Sequence, residues 1–463
     1  MRFILPALLL LLAFSCASTE TKKTIVDSAA PVEVSKPEFK KGELTTLTVS
    51  ADPSNSFTVY LPADFDSTKK YPLVVFFDPH ADGSLPLNKY KSLAEKWGFI
   101  FAGSNTSKNG MAPEQAERVF NGLIDELKRI LTVDQQQLIV CGFSGGARVA
   151  SGGAILRKDI KGIICNSASS NSTNSTAIFI GLAGLGDMNY LEMKTNESNS
   201  SRSKIPHELL VFNGKHEWAP VNMMEDALLM ISIIPGNSVA NENANGMYRA
   251  LGISIIGQAD SIKKTSCMIA DNLLQSGMRA QNAAVKGNTR IITGDDYRIS
   301  AGKSSTCVTA DKAAWKAAED EEFILQQELA SALLSQDTTW WKINSPSYFK
   351  SKKQGADKFM HERLQGYASL MCYSYANQAF RTNNLHAAEK FVAIYSIVDP
   401  ENSEWAYMRA NLYMQINLND YALSALEKAA SLGFKDKARL QNDPVFAPIR
   451  SDERFAALIG KMN

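Results

Sequence analysis

The sequence predicts an α/β fold, with a mostly parallel sheet covered by helices on both faces, followed by an all-α helical region. Three observations carry this expectation. After "DSTKK" at 66–70, near-continuous apolar runs alternate with amphipathic stretches, the pattern of parallel strands buried on both faces and joined by crossover helices. One of those runs, "QQLIV", leads directly into "CGFSGGAR" at 141–148, a serine set among three glycines. In the last hundred residues Ala376 and Ala388 recur 34 positions later as Ala410 and Ala422, small residues that let paired helices approach closely.

The chain has 463 residues, too long for one ordinary core, so two or three domains are expected. Lys and Arg number 49 against 48 Asp and Glu. That balance gives no global electrostatic footprint for nucleic acid, and nucleic-acid binding is disfavoured.

The amino terminus, "MRFILPALLLLLAFSCAS", sets Arg2 before an apolar run from Phe3 to Phe14, then Ser15 and Cys16. The run is too short for a comfortable membrane span and has the layout of a secretory signal over residues 1–15. "LAFSC" resembles a bacterial lipobox. That resemblance implies cleavage before Cys16, lipidation of its thiol and stable anchoring through several acyl chains. Residues 16–43 are rich in Ser, Thr, Lys, Glu and Pro, bury too little to fold alone, and read as a tether.

An α/β domain is expected over 44–230. "LTTLTVSA" and "SFTVYLP" alternate as paired antiparallel strands should, with "DPSN" as their turn. "PLVVFFD" then reads as a strand, "LNKYKSLAEKWG" as a helix and "FIFAGSN" as a strand. "PEQAERVFNGLIDELKRIL" places Val119, Phe120, Leu123, Ile124, Leu127, Ile130 and Leu131 on one helical face, with Pro113 in the first turn. Next come the strand "QQLIVCGFS", the helix "GGARVASGGAILRK" and the strands "IKGIICNSA", "TAIFIGLAG" and "HELLVFNG". The polar stretches "NSASSNSTNST" and "KTNESNSSRSK" read as solvated loops, the first placed where it could line a cleft.

Residues 231–345 form an irregular or helical connecting region. Over 235–310 the chain is rich in Ala, Gly, Asn and Ser with poor periodicity, which a divergent helical segment and an irregular linker fit equally. Helical character returns at "DKAAWKAAEDEEFILQQELASALLSQ". Over 346–463 "NNLHAA" aligns with "NLNDYA" at the same 34-residue period. The region resembles tetratricopeptide repeats and ends like the terminal segment often found after them. Beyond Cys16 the cysteines are Cys141, Cys165, Cys267, Cys307 and Cys372. An odd number without a CxxC pair indicates neither a zinc site nor a disulfide framework, and Cys141 and Cys165 fall in strands as small buried groups.

Gly142-Phe143-Ser144-Gly145-Gly146 fits GxSxG at a strand-to-helix turn. There a strained backbone exposes the serine, and its neighbours must be small to clear the strand and helix. A serine hydroxyl needs a base. Of five histidines, His361 and His386 fall on helices of the tail and read as solvated, and His207 opens a strand. His216, in "FNGKHEWAP", follows a strand's carboxyl end, where ligands of open α/β sheets lie. Asp187, in "GLAGLGDMNY", ends the preceding strand and is the candidate acid that orients His216. Glu225 and Asp226 come later, on a helix, and are weaker candidates. The expected oxyanion donors are the backbone N–H of Gly145 and that of His80 or Ala81 in "DPHADG".

Together "PLVVFFDPHADG", "GFSGGAR", "GLGDMNY" and "GKHEWAP" resemble the serine esterases of the α/β-hydrolase superfamily, in particular the polyhydroxybutyrate-depolymerase and feruloyl-esterase-like group. The likeness spans about residues 41–230. It implies ester hydrolysis through an acyl-serine, with no metal or organic cofactor. Many such proteins have His-Gly where this chain has His80-Ala81, which leaves the second oxyanion donor open. The expected substrate is a small or polymer-derived ester, the expected location the bacterial envelope through a lipid anchor. No Asp follows Cys16, which favours the outer membrane by analogy with bacterial lipoproteins. The carboxyl-terminal helices are candidates for holding a protein partner. Two other readings stay open: a surface scaffold lipoprotein with a vestigial hydrolase domain, and a serine peptidase.

Overall fold

A computed structural model describes residues 37–170, 175–200, 206–233, 243–284, 305–351 and 353–462. Cys16, the leader and most of the tether lie outside them. So do 171–174 of the first polar stretch and 201–204 of the second.

Eight strands form one sheet: β1 Leu44–Val49, β2 Asp52–Tyr60, β3 Tyr71–Phe77, β4 Ile100–Ser104, β5 Val133–Phe143, β6 Gly162–Asn166, β7 Ile178–Gly184 and β8 His207–Phe212. Their order is β1-β2-β4-β3-β5-β6-β7-β8. β2 pairs antiparallel with both β1 and β4, and every pair from β4 to β8 is parallel. This is the mostly parallel α/β sheet that the sequence pattern implied. "DPSN" is not the first turn: β2 begins at Asp52, and the chain reverses at Ser50–Ala51. The β1–β2 register jumps from Thr48–Ser56 to Val49–Asp52, so residues 53–55 bulge out of the pairing, and the buried side chain of Asn55 instead bonds Val119 O.

The crossover helices are α1 Ser84–Trp97, α2 Pro113–Ile130, α3 Gly145–Leu156 and α4 Tyr190–Ser200, and α5 Val221–Ile233 follows the last strand. α1 and α5 pack together on one face, while α2 and α3 pack together on the other. Helix α2 begins with Pro113 and buries Val119, Phe120, Leu123, Ile124, Leu127 and Ile130, the apolar face its spacing dictates. Helix α4 replaces most of an expected loop. Arg148 of α3 pairs with Glu192, and Asn196 bonds Ser169, so polar contacts tie this helix to its neighbours.

Among the described residues ten α-helices follow: α6 Asn243–Ile262, α7 Cys267–Ala284, α8 Ser305–Ser335, α9 Thr338–Phe349, α10 Ala356–Arg381, α11 Leu385–Val398, α12 Ser403–Gln415, α13 Asn419–Ser431, α14 Lys437–Asn442 and α15 Glu453–Lys461. α6 packs on α5, and α7 packs on α6 and β8. The weakly periodic segment is therefore largely helical, its stability supplied by packing rather than propensity. Cys267 and Cys307 form a disulfide, which corrects the expectation of none. The bond joins the start of α7 to α8 across 40 positions, a pairing that no local spacing announces. Cys141, Cys165 and Cys372 are free and buried.

In the tail, α10 packs on α11 and α12 on α13. Ala376, Ala388, Ala410 and Ala422 are all fully buried and take equivalent places in the two pairs. Asn383 and Asn417, aligned by the 34-residue period, both turn the chain with positive φ, 53° and 59°. Asparagine tolerates that region better than most residues. His386 is exposed as expected. His361 is not: its side chain is only 14% exposed, and Nδ1 donates to Tyr348 O at 2.6 Å. Phe39–Asn463 forms one compact unit, with an apolar core running from β1 into α15. No described helix is long and apolar enough to cross a membrane.

Candidate active site

The turn after β5 holds Ser144 at φ 51°, ψ −121°, a conformation that costs energy for any residue with a side chain. The packing leaves no room for larger neighbours. A Cβ on Gly142 would lie 2.3 Å from Gly146 O, and one on Gly146 would lie 1.9 Å from Phe77 O. Ser144 N–H is satisfied by Asn166 O at 2.9 Å, which fixes the turn to the neighbouring strand. The hydroxyl thus stands at the amino terminus of α3.

On one side of β5, strands β7 and β8 deliver an acid and a base. Beyond their ends the two loops stay zipped together, with Leu185 N–H donating to Phe212 O and Gly186 N–H to Gly214 O, each at 2.9 Å. This brings Asp187 and His216 into contact. His216 Nδ1 lies 2.9 Å from Asp187 Oδ1, and Nε2 lies 3.0 Å from Ser144 Oγ. A carboxylate only accepts, so Nδ1 carries the ring proton and Nε2 is left to accept from the hydroxyl. Asp187 is fully buried; Oδ1 also accepts the N–H of Asn189 at 2.8 Å. The ring of Phe143 packs 4.8 Å from the imidazole. Ser144, Asp187 and His216 are therefore brought together as the sequence reading placed them.

Three polar groups that the reading did not single out hold the histidine loop. Asn166 accepts Ala219 N–H at 2.6 Å and donates to Glu217 O at 3.1 Å. Asp78 accepts from Trp218 Nε1 at 2.9 Å. Tyr90 of α1 donates to Ala219 O at 2.7 Å. Asp78 and Asn166 both stand at the carboxyl ends of apolar strands, and that position was the available signal.

The "DPHADG" loop follows β3. His80 N–H donates to Asp78 Oδ1 at 2.8 Å, and Ala81 N–H faces Asp78 O at 3.3 Å. Both expected donors thus have an acceptor inside the loop. Ala81 takes φ 62°, a left-handed conformation that glycine adopts without strain and alanine does not. A hydrogen bond from the His80 imidazole to the Asp78 carboxylate raises the imidazole's pKa, and Glu404 and Asp436 of the helical tail add a smaller contribution. Gly145 stands in the first turn of α3, where N–H groups have no partner within the helix.

The weaker acid candidates point elsewhere. Glu225 binds Lys96 and Trp97, and Asp226 is buried against Gln258 of α6. Among the described residues no group of three or more His, Cys, Asp and Glu side chains is placed to hold a metal.

The sequence matches no protein-family model and no curated protein. Among solved structures it is similar to an S-formylglutathione hydrolase of Staphylococcus aureus, at 13% identity and TM-score 0.33 over 38% of this chain and 92% of that one. A fluorophosphonate-binding serine hydrolase of the same organism gives 13% identity and TM-score 0.35, over 42% and 99% of the two chains. An arylesterase gives 12% identity and TM-score 0.34, over 42% and 85%. Each likeness covers less than half of this chain and concerns its layout alone.

Proposed function

We propose that this chain is a serine hydrolase acting on carboxylic esters through an acyl-serine intermediate. The observation that carries the reading is a single imidazole, that of His216, bridging the buried Asp187 carboxylate and the Ser144 hydroxyl at a strained turn. As Ser144 Oγ bonds to the ester carbon, its proton passes to His216 Nε2, and Asp187 stabilises the imidazolium that forms. The carbonyl oxygen gains the negative charge and is received by the N–H of Gly145 at the amino end of α3. When the carbon–oxygen bond to the alcohol breaks, His216 returns the proton to the leaving alkoxide. Water then repeats the cycle on the acyl-serine and frees the acid. The lipobox-like "LAFSC" supports an envelope-anchored enzyme carried by Cys16, and the carboxyl-terminal helices are proposed as its surface for a protein partner.

Ser144→Ala tests the reading on short nitrophenyl esters, with circular dichroism to show that the fold is kept. The expected loss is roughly 10⁴- to 10⁶-fold in kcat. Unchanged turnover would remove Ser144 from the reaction.

A further inference from the structure

The segment after β4 crosses the "DPHADG" loop. His80 and Lys108 form an antiparallel bridge, and Asn109 N–H donates to Pro79 O at 2.9 Å. This crossing sets the side chain of Asn109 against the amino terminus of α3. A Cβ on Gly145 would lie 1.7 Å from Asn109 Oδ1 and 3.5 Å from its Nδ2, so the carboxamide occupies the space that any larger residue at 145 would fill. It is exposed and makes no side-chain hydrogen bond with the described residues. Meanwhile the N–H groups of His80 and Ala81 are directed at Asp78. The backbone donors of the "DPHADG" loop are thus taken up within it, while the Asn109 carboxamide set against Gly145, on a backbone pinned to Pro79, is uncommitted among the described residues.

We propose that the Asn109 carboxamide is a catalytic residue, donating through Nδ2 to the oxyanion that the Gly145 N–H also receives. The assignment rests on the serine-hydrolase reading above. A side-chain amide can serve this purpose because it is neutral and its donor turns about a single terminal torsion. Because Asn109 comes from the β4 side of the sheet, the oxyanion is gripped from opposite Asp187 and His216. A methyl group at 145 would collide with Asn109 Oδ1 and push the carboxamide from this position.

The test compares the purified full chain with Asn109→Ala and Asn109→Asp on a short nitrophenyl ester, and measures inhibition by an alkyl boronic acid. The boronic acid forms a tetrahedral adduct on Ser144 whose oxygen enters the hole. Loss of one such donor lowers kcat by roughly a hundred- to a thousandfold. The expected result is that loss for Asn109→Ala, KM within about threefold, melting temperature unchanged and boronate affinity reduced in parallel. Asn109→Asp keeps the shape, removes the donor and adds a negative charge, so its loss should be at least as large. A kcat for both variants within about threefold of the parent would overturn the assignment, as would a fall in kcat with boronate affinity intact. Ser144→Ala runs beside them. If it is inactive while the Asn109 variants are not, only this inference fails; if it stays active, the hydrolase reading fails first.

Discussion

Asp226 is a buried carboxyl with one oxygen bonded to Gln258 and the other, Oδ1, without a partner among the described residues. Burial pushes its pKa from 3.8 up to about 7. The folded chain therefore binds this proton more tightly than the unfolded one. The stabilising contribution is complete below pH 3.8 and is lost as pH rises through about 7. At 1.36 kcal/mol per unit the swing is on the order of 4 kcal/mol. Asp226→Asn should flatten urea-derived stability between pH 4 and pH 8 and leave the variant the more stable at the alkaline end; an unaltered pH profile would refute this. Asp226 also illustrates what one residue reveals in sequence. Ser144, His216 and Asp187 were legible because glycine spacing and strand ends single them out. Asp78 and Asn166, at strand ends, and Asn109, in the loop after β4, were not, since polar residues in such places look alike until the fold shows what they touch.

At the scale of elements, α10 reaches under the acid loop. Arg363 Nη1 donates to Leu185 O at 2.8 Å, two residues before Asp187, while Nε and Nη2 bind Glu322 of α8 at 2.8 and 2.6 Å. Both side chains are fully buried, and the guanidinium lies 4.8 Å from the Tyr190 ring centre. Around this pair the backbone closes in: a Cβ on Gly186 would lie 2.6 Å from Glu362 Oε2. Arg363→Met would strand a buried carboxylate and should cost about 3–5 kcal/mol, whereas adding Glu322→Leu should recover most of it. Denaturant melts of the two variants check this, and equal stability of both would contradict it. Such long-range pairing explains which elements could be read in advance. Strands β3 to β8 and helix α2 declared themselves by continuous or periodic apolar runs. Helices α6 and α7 did not, because α6 carries Gly246, Gly252 and Gly257, which lower intrinsic propensity. Their helical form depends on packing against α5 and β8.

Across the whole molecule, boundaries of composition are not boundaries of packing. The segments 44–230, 231–345 and 346–463 differ in sequence character, yet one apolar core passes through all three. The Cys267–Cys307 bond ties the middle segment across 40 positions, a constraint on the unfolded chain as much as on the folded one. Glu404 and Asp436 of the tail make a small further contribution to the raised His80 pKa. What unites these parts is the proposal that Ser144 is an activated nucleophile. Peptide mapping by mass spectrometry after treatment with a fluorophosphonate tests it most directly. One adduct per chain is expected, on Ser144, absent from Ser144→Ala and formed far more slowly by His216→Ala. A folded chain that takes no adduct, or takes it on another residue, would contradict it.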